Sequence, residues 1–310
     1  MSRSYAVLFP GQGAQFVGMG RDFSEAFPDV HSLFDRASRI LGWDVAHVCF
    51  EGPETELTRS DRAPSAIFVH SLACFEALRK RKPEIRWAAA AGLSSGEWTA
   101  LTAAGVLSFD EALRILQIRG RAMQEACDRN PGAMLSVIGL SREALEEICR
   151  HSGAEIANLN SPDQTVLSGT MEAIASAEAL ASKSGARKIL RVKVAGAFHS
   201  SLMRPASEKL AVALQEVRFQ VPAFPVYSNV TGQIHGASEE VRSAMVAQVA
   251  SSVQWVQTIQ GLRALGVTDF VECGPGRVLS GLVKRIDKTA NLHNIQDLAG
   301  LEAVVSGWAE

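Results

Sequence analysis

The chain has little with which to cross-link itself or hold a metal. Its five cysteines, Cys49, Cys74, Cys127, Cys149 and Cys273, are odd in number and widely spaced over 310 residues. They read as free, mostly buried thiols in a reducing compartment, not as a disulfide framework. No Cys/His spacing resembles a metal site, so no metal is expected. There is no G-x-x-x-x-G-K-[ST] loop and no G-x-G-x-x-G after a strand, which removes support for phosphate-cradling and dinucleotide readings, and no cofactor is expected. The net charge is −2 and no dense Lys/Arg block exists, which argues against nucleic acid as the main ligand. No stretch approaches a membrane span, and the apolar run in M-S-R-S-Y-A-V-L-F-P-G is too short for a signal h-region. A soluble cytoplasmic protein is expected, without internal repeats or low-complexity segments.

What is present is 47% hydrophobic residues, enough for a large core and a second subdomain. Short apolar runs read as buried strands at Tyr5 to Phe9, Trp87 to Leu93, Val226 to Val230 and Phe270 to Cys273. Amphipathic stretches read as helices at Pro64 to Leu78, Glu111 to Cys127, Glu239 to Ala250 and Val278 to Ile286. Such alternation implies an α/β core with a mainly parallel sheet. From about Gly132 to Val194 the order becomes β-α-β-β-α-β, which fits an inserted ferredoxin-like subdomain. Asn130-Pro131-Gly132 and Ala195-Gly196-Ala197 are its expected junctions, giving a core of 1–130 and 196–310 around an insert of 131–195. An active site between the two is expected.

Gly92-Leu93-Ser94-Ser95-Gly96 follows a small-residue strand and precedes the helix-like E-W-T-A-L-T-A-A. The G-x-S-x-G pattern alone is weak, since roughly one chain in ten of this length would hold it by chance at about 7% glycine. Its strand-before, helix-after context makes it a candidate nucleophile elbow in an α/β-hydrolase-like core, with Ser94 as nucleophile. Of the seven histidines, His199 in G-A-F-H-S-S-L-M is the best candidate base, because it falls where the insert returns to the core. His31, His47, His151 and His235 lie in polar or turn-like contexts, as does His293, and His70 sits on a helix face. The turn F-P-G-Q-G-A-Q could bring the Gln12 N–H to the elbow beside the Ser95 N–H, as paired oxyanion donors. Arg119 is three or four positions from Ile115, Leu116, Ala122 and Met123, on the apolar stripe of its helix, whereas Arg114 and Arg121 are on polar faces. A buried guanidinium needs a partner, either an internal carboxylate or a substrate carboxylate held by two parallel hydrogen bonds.

Four stretches, F-P-G-Q-G-A-Q, G-L-S-S-G-E, Q-I-R-G-R-A-M-Q and G-A-F-H-S, followed by S-V-Q-W and E-C-G-P-G-R-V-L, occur in one order. With them the chain resembles the malonyl-CoA:acyl carrier protein transacylases and the related acyltransferase domains of polyketide synthases, from about residue 5 to residue 290. The resemblance implies a ping-pong transfer of malonyl from malonyl-CoA to the phosphopantetheine thiol of acyl carrier protein. Ser94 would be the nucleophile, His199 the base, Gln12 and Ser95 the oxyanion donors, and Arg119 the partner of the malonyl carboxylate. It further implies that the Gln254 backbone carbonyl orients the histidine. Phe198, and Met123 on the arginine's helix, are the candidate acyl-selectivity residues. Leu93 and Ser95 replace a frequent histidine and aliphatic residue around the nucleophile, and Ala63 stands where many members have a glutamine. Carriers are typically acidic, and Lys80 to Lys82, Arg277, Lys284 and Arg285 are the candidate contacts for one. A serine thioesterase and a non-catalytic carrier-binding protein are the alternatives.

Overall fold

A computed structural model describes residues 3–308. Two four-stranded sheets organise the chain. Strands β1 (Tyr5–Phe9) and β2 (Trp87–Gly92) are followed, in chain order, by β3 (Gly132–Ile138), β4 (Glu155–Ser161), β5 (Gln164–Thr170) and β6 (Lys188–Arg191), and last by β7 (Asp269–Cys273) and β8 (Asn291–Ile295). The first sheet has the order β2-β1-β7-β8 and every pairing in it is parallel. β1 lies second in that sheet, and its Ala6 to Phe9 are fully buried. A continuous apolar strand is what a parallel sheet covered on both faces requires. Ala89 to Ala91 keep β2 thin and buried, so the helix Gly96–Ala103 can approach it closely.

The second sheet is antiparallel, with the order β4-β5-β3-β6. Its strands and the helices Arg142–Ser152 and Met171–Lys183 follow one another as β-α-β-β-α-β. Side chains alternate across it as strand geometry demands. Leu135, Val137 and Leu167 pack against the two helices, while Met134 and Val166 join the large core beneath. Docking is partly by backbone, since Val253 donates to the Ala157 carbonyl at 2.8 Å and Leu159 to the Val253 carbonyl at 2.9 Å.

Two strand expectations need correction. β6 stops at Arg191 instead of running to Val194, because the last bond to β3 is from the Val192 N–H to the Met134 carbonyl and the Val194 N–H turns back onto the Val192 carbonyl. Val226 to Val230 is not a strand. It touches the edge of β2 by an Ala90–Val226 bridge, and Tyr227 makes one further bridge to Ile234. Pro225, which has no N–H to extend the ladder, precedes it, and a turn from Asn229 to Gly232 follows. Strand β8 and the helices Pro28–Leu41, Arg204–Ala213, Trp255–Ala264 and Leu298–Gly307 are among the elements beyond those read from sequence.

Candidate active site

β2 runs straight into the turn at Ser94, and the helix Gly96–Ala103 leaves it. Both elbow glycines are required by close backbone approach. A Cβ on Gly92 would lie 1.9 Å from the Gly96 oxygen, and one on Gly96 would lie 2.2 Å from the Phe9 oxygen. Among the described residues Ser94, at φ 53°, and His199, at φ 58°, are the non-glycine residues with positive φ. Each costs on the order of 1–3 kcal/mol, so the surrounding packing must hold both in place.

That strain brings the two side chains together, with His199 Nε2 2.8 Å from Ser94 Oγ. His199 Nδ1 faces two carbonyl oxygens, those of Gln248 at 2.9 Å and Ser251 at 3.2 Å. Carbonyls only accept, so the proton sits on Nδ1 and the Nε2 lone pair is left to accept the serine hydroxyl. Burial, with the neighbouring Arg119 cation adding to it, lowers the His199 pKa to about 4. At neutral pH the imidazole is therefore an unprotonated base. The rate of any attack by Ser94 is expected to stay level from pH 8 to about pH 6 and to fall on an acid limb nearer 4 than the usual 6.5, as His199 takes up its proton. A limb at 6.5 in the measured profile would contradict this environment.

Arg119 arrives from the helix Phe109–Arg129, whose start is fixed by the Ser108–Glu111 capping box. It is buried, as its apolar-stripe position predicts, while Arg114 and Arg121 on the other faces are exposed. Its Nη2 donates to Ser94 Oγ at 3.2 Å and to Gln248 Oε1 at 3.4 Å. Its Nε is buried without a partner, and no carboxylate forms an ion pair with it among the described residues. Burial lowers the Arg119 pKa to about 10, against the opposing field of Glu97, so the group remains a cation at neutral pH. The internal carboxylate that usually explains a buried arginine is thus not in contact with it.

The turn after β1 meets the elbow from the other side, since a Cβ on Gly11 would lie 2.4 Å from the Leu93 oxygen. Neither the Gln12 nor the Ser95 backbone N–H donates to an acceptor among the described residues. Phe198 and Met123 are both buried in the large core. A cleft of about 880 Å³ passes Gln12, Arg59, Gln124 and Lys193, and a depression of about 560 Å³ reaches His199 between Glu155 and Ser251. Of the candidate carrier contacts, Lys80 and Arg81 are paired with Asp29 and Glu302, whereas Arg277 is exposed at the start of the helix Val278–Ile286. Among the described residues no group of three His, Cys, Asp or Glu side chains could hold a metal ion, and no helix is long and apolar enough to cross a membrane.

A family model described as an acyl transferase domain matches residues 7–301. The malonyl CoA-acyl carrier protein transacylase of Haemophilus influenzae is 36% identical over 97% of this chain and 98% of its own, and that of Bacillus subtilis is 37% identical over 98% and 97%. The chain belongs to the malonyl CoA-acyl carrier protein transacylase family. It is an acyltransferase of that family. Among solved structures, the transacylase of Coxiella burnetii superposes with a TM-score of 0.96 at 33% identity, covering 100% of this chain and 99% of that one. A malonyl-transacylase solved in complex with a type II polyketide synthase acyl-carrier protein gives 0.94 at 37% identity, over 98% and 99%. The shared fold is thus mixed α/β with a parallel sheet.

Against this transacylase frame one expected contact is corrected. The Gln254 carbonyl does not meet His199. It accepts the Thr258 N–H and hydroxyl, both at 3.0 Å, and so begins the helix Trp255–Ala264. An N-cap carbonyl is already committed to the first helical hydrogen bond. Gln248 and Ser251, upstream in the same connection, supply the carbonyls instead. Also unread from sequence were Asn229, whose Oδ1 accepts the Ser94 N–H at 2.6 Å, and Glu97 with His235, 2.7 Å apart in the buried layer behind the elbow. Gln248 carried the same signal as Arg119, a polar residue inside the apolar run M-V-A-Q-V-A.

Proposed function

We propose that this acyltransferase moves a malonyl group from malonyl-CoA to the phosphopantetheine thiol of an acyl carrier protein through a Ser94 acyl-enzyme. The observation that carries the reading is the buried Arg119 cation, with one N–H unpartnered and another 3.2 Å from the candidate nucleophile. A free carboxylate at the far end of a short acyl group matches that cation, and the names of the relatives agree.

Ser94 Oγ attacks the thioester carbonyl as His199 Nε2 takes its proton, and the oxyanion is received by the Gln12 and Ser95 N–H groups. The intermediate collapses with loss of the CoA thiolate, which His199 protonates. In the second half the carrier thiol gives its proton to His199 and attacks the acyl-serine, and Ser94 leaves with that proton. Arg119 holds the malonyl carboxylate throughout, which orients the acyl group for a thiol and leaves little room for water. Gln248 and Ser251, not a carboxylate, fix the histidine tautomer.

We read the two sheets as an α/β-hydrolase-like core, 1–130 and 196–310, carrying a ferredoxin-like unit at 131–195. The strand order β4-β5-β3-β6 supports the second half of that reading. The five free cysteines suit work in a reducing cytoplasm.

The test is intact mass after brief mixing with malonyl-CoA, followed by addition of phosphopantetheinylated carrier. A malonyl adduct that moves to the carrier is expected. Free malonate accumulating at the rate of CoA release, with no gain from the carrier, would make the protein a thioesterase. The buried Phe198, one residue from the base, is proposed to crowd a 2-methyl group. Phe198→Ser is expected to raise methylmalonyl transfer relative to malonyl by about tenfold, the size of a one-methyl discrimination. An unchanged ratio in a competition assay would remove Phe198 as the gate.

A further inference from the structure

Behind the elbow lies a buried layer that touches no reacting atom. Glu97 is in the first turn of the helix Gly96–Ala103 and is completely buried. Its Oε1 accepts the Asn229 N–H at 3.2 Å and faces His235 Nε2 at 2.7 Å. Its Oε2 accepts from Gln248 Nε2 at 2.5 Å. Gln248 Nε2 also donates to the Ser94 carbonyl at 3.0 Å, and Gln248 Oε1 is the atom that faces Arg119. On the opposite side Asn229 holds the Ser94 N–H and donates to the Gly92 carbonyl at 2.7 Å. The strained Ser94 peptide is therefore gripped at both ends by carboxamides, and one carboxylate holds that of Gln248 directly and Asn229 through its backbone N–H.

The orientation of the Gln248 amide follows from its neighbours. A carboxylate and a peptide carbonyl can only accept, so the NH₂ must face Glu97 and Ser94, leaving the oxygen for the guanidinium. We infer that Glu97, held by His235, is a positioning residue for recognition of the acyl carboxylate: its charge keeps the Gln248 oxygen turned toward Arg119. This rests on the malonyl reading above. The arrangement also accounts for a carboxylate this deep, since it accepts from three groups and lies in the field of Arg119.

Glu97→Gln is the direct test, because it keeps the shape and removes the acceptor-only character. With its NH₂ toward Gln248, two donors oppose each other unless the Gln248 amide turns, and turning places an NH₂ against the Arg119 cation. The KM for malonyl-CoA is expected to rise about tenfold, the scale of one lost charge-assisted hydrogen bond. The kcat for malonyl and both constants for acetyl-CoA are expected to change much less, with an unchanged Tm showing that the fold holds. His235→Gln, which retains an N–H donor for Glu97, should keep the malonyl preference, and His235→Leu should lose it. If Glu97→Gln does not fold, the His235 pair is read in the same way. Equal losses for malonyl and acetyl, or an unaltered preference, would overturn the inference while leaving malonyl transfer by the wild type intact. A wild type that loads no malonyl would overturn both.

Discussion

Ser94→Ala is expected to abolish the malonyl adduct and to lower transfer to the carrier by on the order of a million-fold, about 8 kcal/mol of transition-state stabilisation. The size follows from geometry: Ser94 Oγ is the atom that both His199, at 2.8 Å, and Arg119, at 3.2 Å, converge on. On the proposed mechanism the nucleophile, base and oxyanion donors act as a unit, so removing the first costs nearly the whole catalytic advantage. Alanine tolerates φ 53° no better and no worse than serine, so the elbow should persist. The measurement is intact mass together with steady-state transfer. An adduct of full occupancy in Ser94→Ala would mean that another side chain carries the acyl group.

Arg119→Ala is expected to lower kcat/KM for malonyl-CoA by roughly a hundred- to several-thousand-fold, about 3–5 kcal/mol, the cost of leaving one member of a buried ion pair alone. Acetyl transfer, which offers no carboxylate, should fall little. The asymmetry is the point. A merely structural arginine would depress both donors equally, since it would act through the fold, whereas one that binds the acyl carboxylate discriminates between them. The unpartnered Nε and the lack of an ion pair with any described carboxylate are the structural basis for that expectation. Comparable losses with malonyl-CoA and acetyl-CoA, measured side by side, would assign Arg119 to the scaffold.

Local sequence carried much of this protein. The apolar run at Tyr5 to Phe9 could only be a covered strand, and the structure bounds it at those residues. The β-α-β-β-α-β order between Gly132 and Arg191 is likewise visible from alternating period-two and period-3.6 segments. The elbow was legible because the G-x-S-x-G spacing and the Gly92 contact with the Gly96 backbone lie within one turn, although Gly96 itself answers to the Phe9 backbone of the distant strand β1, and Arg119 because a charge on an apolar stripe breaks a pattern. Such features depend on neighbours a few residues apart. The hydrogen bond to His199 Nδ1 does not: it joins residues 49 apart, and which carbonyl in the Gln248 to Gln254 connection reaches the ring depends on where one helix ends and the next begins. Glu97 and His235 stand 138 positions apart, and nothing near His235 in sequence signals a buried carboxylate. Sequence by itself determined most of the strands, the turn at Ser94 and the family, because each is written in contiguous residues. Tertiary structure alone decided which carbonyls hold the base and what stands behind the nucleophile, because those contacts exist only where distant segments close on one another.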